Sequence, residues 1–444
     1  MSRELENNSK LVESKDSLLD VFRKGSRPKE EFKVGVEFER FALTPHQGVP
    51  LPYQGDPSIF SILQAMQSLW SWQPVTDQGR LIALTQGGNA ITLEPGGQVE
   101  LSSRAFEDTQ SMAFELRSIC GDMENIAHDL GFVWGDFGFV PTISLEQAQW
   151  IPKSRYHIMK SKYEGRDRSF LEMMALTASI QINFDYSSEE DAGKKVFVSS
   201  MLSPVIAALC SNSSIENMTK SNYLHRRHAI WMHGDPDRTG IPAFFVDGSF
   251  SFEQYRDYAL QVPMYFIVRD GKYIDQRHLT FGQYLDQNAE VQMGDWDLHL
   301  TTLFPDLRLK NHLEARTADQ NPLPIALALA VFWFVLSKNN LLLDALAERF
   351  SPYSYQDLQL ANQQLITKGL EAMLGSESLL EHARYITQKC MEHLDAHDQE
   401  LFRPLFELAQ EGRSPGQKIL IAMEEESQSW SFDQLMKVAT VSGK

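Results

Sequence analysis

Four stretches of the chain alternate apolar and polar residues with period two, which is the signature of strands with one buried face. Lys33 to Leu43 sets Glu37 and Glu39 on one face and Val34, Val36 and Phe38 on the other. Ala178 to Tyr186 sets Ser179, Gln181, Asn183 and Asp185 against Ile180, Ile182, Phe184 and Tyr186. Arg308 to Asp319 groups His312, Glu314 and Arg316 opposite Leu313 and Ala315. The fourth, Ile91 to Ser102, carries Glu94 and Glu100 on either side of a Pro95-Gly96-Gly97 break. Further strands are expected at Arg80 to Leu84 and Val262 to Val268, with a hairpin turn at Gln86 to Asn89.

Helical spacing marks Ser58 to Trp70, Asp108 to Gly131, Ser188 to Cys210 and Phe252 to Leu260, with Ser58 a cap and Gly131 a stop. Residues 44–57 read as a loop, the segment leading to Trp231 as a polar loop, and Asp235 to Gly240 as a turn. Nearly all of 322–444 repeats at helical spacing. The pattern predicts an α+β fold with a mainly antiparallel sheet, one face polar and the other covered by helices. Residues 1–30 are expected as a polar tail with a short surface helix at Leu18 to Phe22. Residues 31–320 would form the core, and 321–444 a helical region of the same domain.

Charge narrows the function. The 444-residue chain has a formal net charge of -18, which excludes the broad basic surface that nucleic-acid binding draws on. Its longest apolar run, Ile325 to Leu336, is about a dozen residues where a membrane span needs roughly twenty. It is expected as a buried core helix. Three widely spaced cysteines, Cys120, Cys210 and Cys390, form no metal-ligand pattern. With a polar, charged N-terminus they fit a cytoplasmic, reducing location.

The polar faces bear mostly glutamates and amides. If Glu37, Glu39, Glu94, Glu100 and Glu314 converge on one sheet face, they repel unless cations sit between them. Oxygen-only donors suit magnesium or manganese rather than zinc. A merely solvated sheet face gives the same alternation, and convergence distinguishes the two. A magnesium site points to phosphoryl chemistry, yet no phosphate-binding glycine loop and no kinase signature is present. Nucleotide would then be held through metal and basic side chains, with Arg227, Arg238 and Arg316 as candidates. Tyr265, in an apolar strand, reads as core.

These segments resemble the plant-type glutamate–cysteine ligases, which share the glutamine-synthetase-like carboxylate–amine ligase fold. The resemblance rests on Gly35 to Glu39, Ile91 to Ser102, Pro152 to Met159, Met173 to Tyr186, Arg227 to Trp231, Asp235 to Gly240, Tyr258 to Phe266 and Asp295 to Asp319. It implies a curved sheet whose glutamates (Glu37, Glu39, Glu94, Glu100 and Glu314) hold two or three magnesium ions, with Gln181 and Asn183 adjoining. It implies that ATP phosphorylates the γ-carboxylate of glutamate and that the amine of cysteine attacks the acyl phosphate. Arg155, Arg227 and Trp231 would grip the amino acid, Tyr265 would lie near the cysteine pocket, and Arg316 would contact phosphate. A closing loop would exclude water. The partners implied are small molecules, with no nucleic acid and no membrane.

The chain departs from the family pattern in places. Val36 and Phe38 replace a Thr and a His beside the glutamate pair, on the apolar face. Ala229 replaces a His before the tryptophan. The sparse cysteines argue against carrying over a regulatory disulfide. A ligase for another amine acceptor, and a non-catalytic sensor, are the alternatives that the resemblance leaves open.

Overall fold

The computed structural model describes residues 8–425 and 430–441. Nine strands form one sheet: β1 (Val34–Leu43), β2 (Gln73–Asp77), β3 (Arg80–Gln86), β4 (Asn89–Leu93), β5 (Val99–Ser102), β6 (Val133–Gly135), β7 (Ser179–Phe184), β8 (Leu307–Leu309) and β9 (Leu313–Asp319). Their order is β8-β9-β7-β1-β5-β4-β3-β2, with β6 paired to the far end of β1. Every pairing is antiparallel.

Register decides which side chains share a face, because side chains alternate strictly along a strand. Glu39 stands opposite Glu100, Glu37 opposite Gln181, and Glu314 opposite Asn183. One face therefore collects the polar residues of four strands. The other face carries Val34, Val36, Phe38, Leu101, Ile180, Ile182 and Phe184, all buried. Helix Leu323–Lys338 fills that face, and Trp333 stacks on Phe184 at 5.1 Å between ring centroids. Ile325 to Leu336 is thus a core helix. Sheet and C-terminal helices share one hydrophobic cluster. Glu189–Leu209 is long and apolar enough to span a membrane, but 83% of its apolar window is buried in the protein, as in a core helix.

Several expectations change. Glu37, Glu39, Glu100, Gln181 and Glu314 are all under 9% exposed, so the polar face is covered rather than solvated. The segment leading to Trp231 is loop and short hairpin only as far as His225: Arg226–His233 is a helix, capped by the His225 side chain accepting from the His228 N–H at 3.2 Å. Helical periodicity over eight residues is too short to separate from a polar loop. Ser154–Tyr163 is a further helix, with Lys153 at its N-cap.

The alternation at 308–319 is a hairpin rather than a single strand. His312 lies in its turn, where the Lys310 N–H donates to the His312 carbonyl. The strand expected at 262–268 begins only at Phe266 and runs to Arg269. The Leu18 to Phe22 segment is helical as expected, a 3-10 turn Asp16–Leu19 running into Asp20–Arg23, with Arg23 exposed and its apolar side chains packed inward. Leu18, Leu19 and Phe22 are buried, and the Trp296 indole donates to the Leu18 carbonyl at 3.0 Å.

Candidate active site

The Pro95-Gly96-Gly97 break is a hairpin turn that joins β4 to β5, with Leu93 opposite Val99. The Gly97 N–H donates to the Glu94 carbonyl at 3.0 Å. Gly97 has φ +90°, which favours glycine. A Cβ on Gly96 would stand 2.0 Å from the Ala175 carbonyl oxygen. The glycines therefore admit the end of helix Arg168–Leu176 rather than a phosphate. Gln98 fastens the same contact, donating to the Thr177 carbonyl at 2.7 Å and accepting from the Gly96 N–H at 2.9 Å. Turn and helix together aim Glu94 into the cleft over the polar face.

That cleft spans about 770 Å³, part of it open to solvent, and Glu39, Glu94, Arg155, Arg227, Trp231 and Arg316 line it. Glu39 is gripped by neutral donors: the Ser179 N–H at 2.6 Å and the Gln181 amide at 2.9 Å. Burial first, then the charges of Glu94 and Glu100, push the Glu39 carboxyl up to about 8. A carboxylate held at such a cost invites a cation. The oxygen donors Glu39, Glu94 and Glu100, with Glu37 beside them on β1, fit a hard divalent ion. Asn183 orients Glu37 through a 3.1 Å amide hydrogen bond. Among the described residues, no three metal-ligating side chains already stand close enough together to enclose an ion.

Glu314 behaves differently. It is fully buried and paired with Arg308, with Arg316 and, at 3.0 Å, with Lys310. Those cations hold its pKa well below the ordinary value against its burial. The expectation that all five glutamates repel in the absence of metal is therefore corrected, because at this end the protein supplies its own cations.

A bulge in β9 places Arg316. Ala315 pairs with Ile182 and Ala318 with Ile180, so Arg316 and Thr317 together oppose Gln181. Arg316 bridges Glu314 and the Gln181 side-chain amide oxygen, donating to both. One hydrogen-bonded line then runs Glu314, Arg316, Gln181, Glu39 across the sheet. The carbonyls of Arg316 and Thr317 accept from Arg227 at 2.9 and 3.3 Å. The buried Arg227 Nε has no hydrogen-bond partner among the described residues. Trp231, one helical turn on, sits with its ring 5.7 Å from the Arg227 guanidinium and 5.9 Å from that of Arg316.

A second cleft opens at the Glu37 end of the same face, lined by Glu37, Asn183, Arg27, Lys33, Lys310 and His312 among others. Four predicted residues line neither cleft: Glu100 and Glu314, which lie fully buried within the sheet face, and Arg238 and Tyr265. Arg238 is buried and fully engaged, donating to Asp235 at 3.0 Å, to the Thr302 carbonyl at 3.0 Å and to the Pro263 carbonyl at 2.8 Å. It braces the wall of the site and is not placed to bind nucleotide. Tyr265 stacks under Arg238 at 4.2 Å, and its hydroxyl shares a hydrogen bond with Tyr163. Its neighbour Phe266 reaches the cleft instead.

Lys153 and Tyr156 were missed as functional candidates. Both donate to the Leu93 carbonyl, at 2.8 and 2.6 Å, and so fix the residue beside Glu94. Burial, aided by Arg155, lowers Lys153 to about 7. A basic–aromatic run was the only signal, and it does not say which carbonyl the run reaches. Arg27 and Lys33 were missed because they flank the first strand, where a charge reads as surface.

Comparison with known proteins places this geometry. The chain is 33% identical over 375 residues to the chloroplastic glutamate–cysteine ligase of Brassica juncea, covering 83% of this chain and 72% of that protein. It is 31% identical to that of Medicago truncatula, covering 95% and 85%. A crystal structure of glutamate–cysteine ligase from Francisella tularensis in complex with AMP shares the fold, with a TM-score of 0.54 at 12% identity over 93% of this chain and 88% of that one. Residues 33–431 match glutamate–cysteine ligase family 2, and the chain belongs to that family.

Proposed function

We propose that this protein joins the γ-carboxylate of glutamate to the amine of cysteine at the expense of ATP. The carrying observation is one covered sheet face with a cation-seeking glutamate, Glu39, in a cleft that also holds Arg155, Arg227 and Arg316. That combination suits a substrate with carboxylates and a reaction that concentrates negative charge.

In this reading the first cleft takes the amino acids and the second takes the nucleotide, whose phosphates meet Arg27, Lys33 and Lys310. Glu37, Glu39, Glu94 and Glu100 would hold magnesium. When bound, magnesium neutralises phosphate charge and orients the reacting oxygens. Glu314 is given a different task, that of fixing Arg316. Arg155 and the open Arg227 Nε pair with the glutamate carboxylate, as guanidinium groups do. A γ-carboxylate oxygen bonds to the terminal phosphorus and ADP leaves. The cysteine nitrogen then bonds to the acyl carbon, phosphate departs and the nitrogen loses a proton. Met159, Met173, Met174 and Phe266 line the same cleft and offer soft, apolar contacts to a thiol.

The location proposed is cytoplasmic, although the relatives named are chloroplastic. The support is that Cys120, Cys210 and Cys390 are free and buried, as a reducing compartment permits. Cell fractionation decides it.

ADP release with glutamate, ATP and magnesium is the test, comparing cysteine with a panel of other amines. Cysteine should give the largest stimulation. Release no greater than with glutamate alone would overturn the acceptor assignment.

A further inference from the structure

A third cavity lies on the far side of Trp231 from the catalytic cleft, with about 1640 Å³ of space opening to solvent. Its chemistry is opposite to that of the substrate clefts. The catalytic cleft carries Arg155, Arg227 and Arg316, and the second cleft carries Arg27, Lys33 and Lys310. Among the described residues neither lysine nor arginine lines the third. Its charges are the carboxylates of Asp257 and Asp306, its other polar side chains are largely amides, and its walls are Trp231, Phe244, Tyr258 and Tyr355.

Aromatic faces beside a carboxylate are the recognition chemistry for an ammonium group. Asp257, at the rim, is paired with Arg256. Asp306, half-buried, accepts from the Ser203 hydroxyl through Oδ2, which leaves capacity on the carboxylate. His228, 5% exposed, lies beside Asn362, yet neither His228 Nε2 nor Asn362 Oδ1 completes a hydrogen bond of ordinary geometry. Buried polar atoms left in this way favour a ligand that supplies donors. Burial holds His228 below its ordinary pKa, so the imidazole adds no positive charge to the cavity wall. The Tyr355 hydroxyl donates to the Ile241 carbonyl at 3.0 Å and fixes one wall.

We propose that this cavity is a second ligand site, built for a protonated organic amine with an aromatic or apolar body. Trp231 belongs to both cavities, and its ring faces Arg227 and Arg316. An occupant that shifts Trp231 therefore alters the hold on the amino-acid substrate, and the linkage is reciprocal. That coupling rests on the catalytic reading of the first cleft; the site itself does not.

The test titrates the full chain, free of substrates, with benzylamine by calorimetry, using benzyl alcohol and benzoate as neutral and anionic controls. Two variants lie outside the catalytic cleft: Gln359→Trp, at an exposed position, blocks the cavity, and Asn362→Leu removes its amide. Benzylamine should saturate a single site and bind about tenfold more tightly than either control, the scale of a desolvated cation on aromatic faces. Each variant should weaken it by a similar factor with an unchanged melting midpoint. Glutamate should shift its affinity without displacing it. Three results would each overturn the proposal: no saturable binding, equal binding of the controls, or benzylamine affinity unchanged in both variants. Competitive displacement by glutamate would place benzylamine in the catalytic cleft and also overturn it. ADP release with glutamate and cysteine is measured separately, so its absence would sink the catalytic reading while leaving the calorimetric result standing.

Discussion

Glu314 and Glu39 sit on the same face of one sheet, and both are buried, yet their surroundings oppose each other. Glu314 is surrounded by Arg308, Lys310 and Arg316, and its carboxylate stays ionised. Glu39 has only neutral donors among the described residues and two glutamates nearby, and it holds its proton up to about 8. A buried carboxylate needs compensation. At one end the chain builds the cation in. At the other, in the proposed function, that place would go to an ion brought with substrate. A glutamate's role at such a site follows from its neighbours rather than from the face it occupies.

The comparison breaks most directly at Glu39. Glu39→Gln should cut ADP release by on the order of 10³-fold, as loss of a charge-stabilising group does. It should also raise the melting temperature of the metal-free protein, because a strained carboxyl is removed. Activity within a few-fold of the parent would sink the metal assignment. Glu314→Gln should instead lower the melting temperature, since it leaves Arg308 and Lys310 facing a neutral amide.

Arg308→Met tests the other end by unfolding in urea. Stripping a buried carboxylate of its principal partner should cost about 3 kcal/mol. An unchanged midpoint would mean that Lys310 and Arg316 suffice alone.

Arg316→Leu interrupts the line between the two ends. It should lower kcat by about 10²-fold, the scale of losing a placed charged donor, and shift the pH profile that Glu39 imposes. A fall in kcat with no shift in the profile would separate Arg316 from Glu39.

The smallest effect is a pH dependence. The folded pKa of Glu39 lies above its ordinary value, so its protonated form stabilises the metal-free fold at low pH. That contribution is lost as pH rises through about 8. A bound cation displaces the proton, so magnesium affinity should rise with pH, by about tenfold per unit below that point, and then level off. Calorimetry at several pH values, in buffers of different ionisation heat, reads both the slope and the released proton. A flat profile would mean that Glu39 is not a ligand.

Much of this was legible in the sequence. Period two placed Glu37 and Glu39 together, and Gln181 and Asn183 together, because strand side chains alternate regardless of context. The spacing of Arg227 and Trp231 is one helical turn, although the segment was read as a loop. The bulge that lets both Arg316 and Thr317 oppose Gln181 left no mark in the alternation, since one extra residue in a strand has no compositional sign. The role of Gly96 is hidden for a similar reason: a glycine shows that room is needed, but not what fills it.

Local sequence determined most of the long strands and helices and which of their faces are polar, because backbone geometry fixes those periods within a few residues. Tertiary structure alone decided that Glu39 lies opposite Glu100, that Arg308 reaches Glu314, and that Arg238 is spent on Asp235 and two carbonyls. Strand register and the partner of a long basic side chain depend on segments far apart in the chain. Charge is felt through space, so the division between a glutamate that awaits a cation and one that already has its own could be read only once the strands had been brought together.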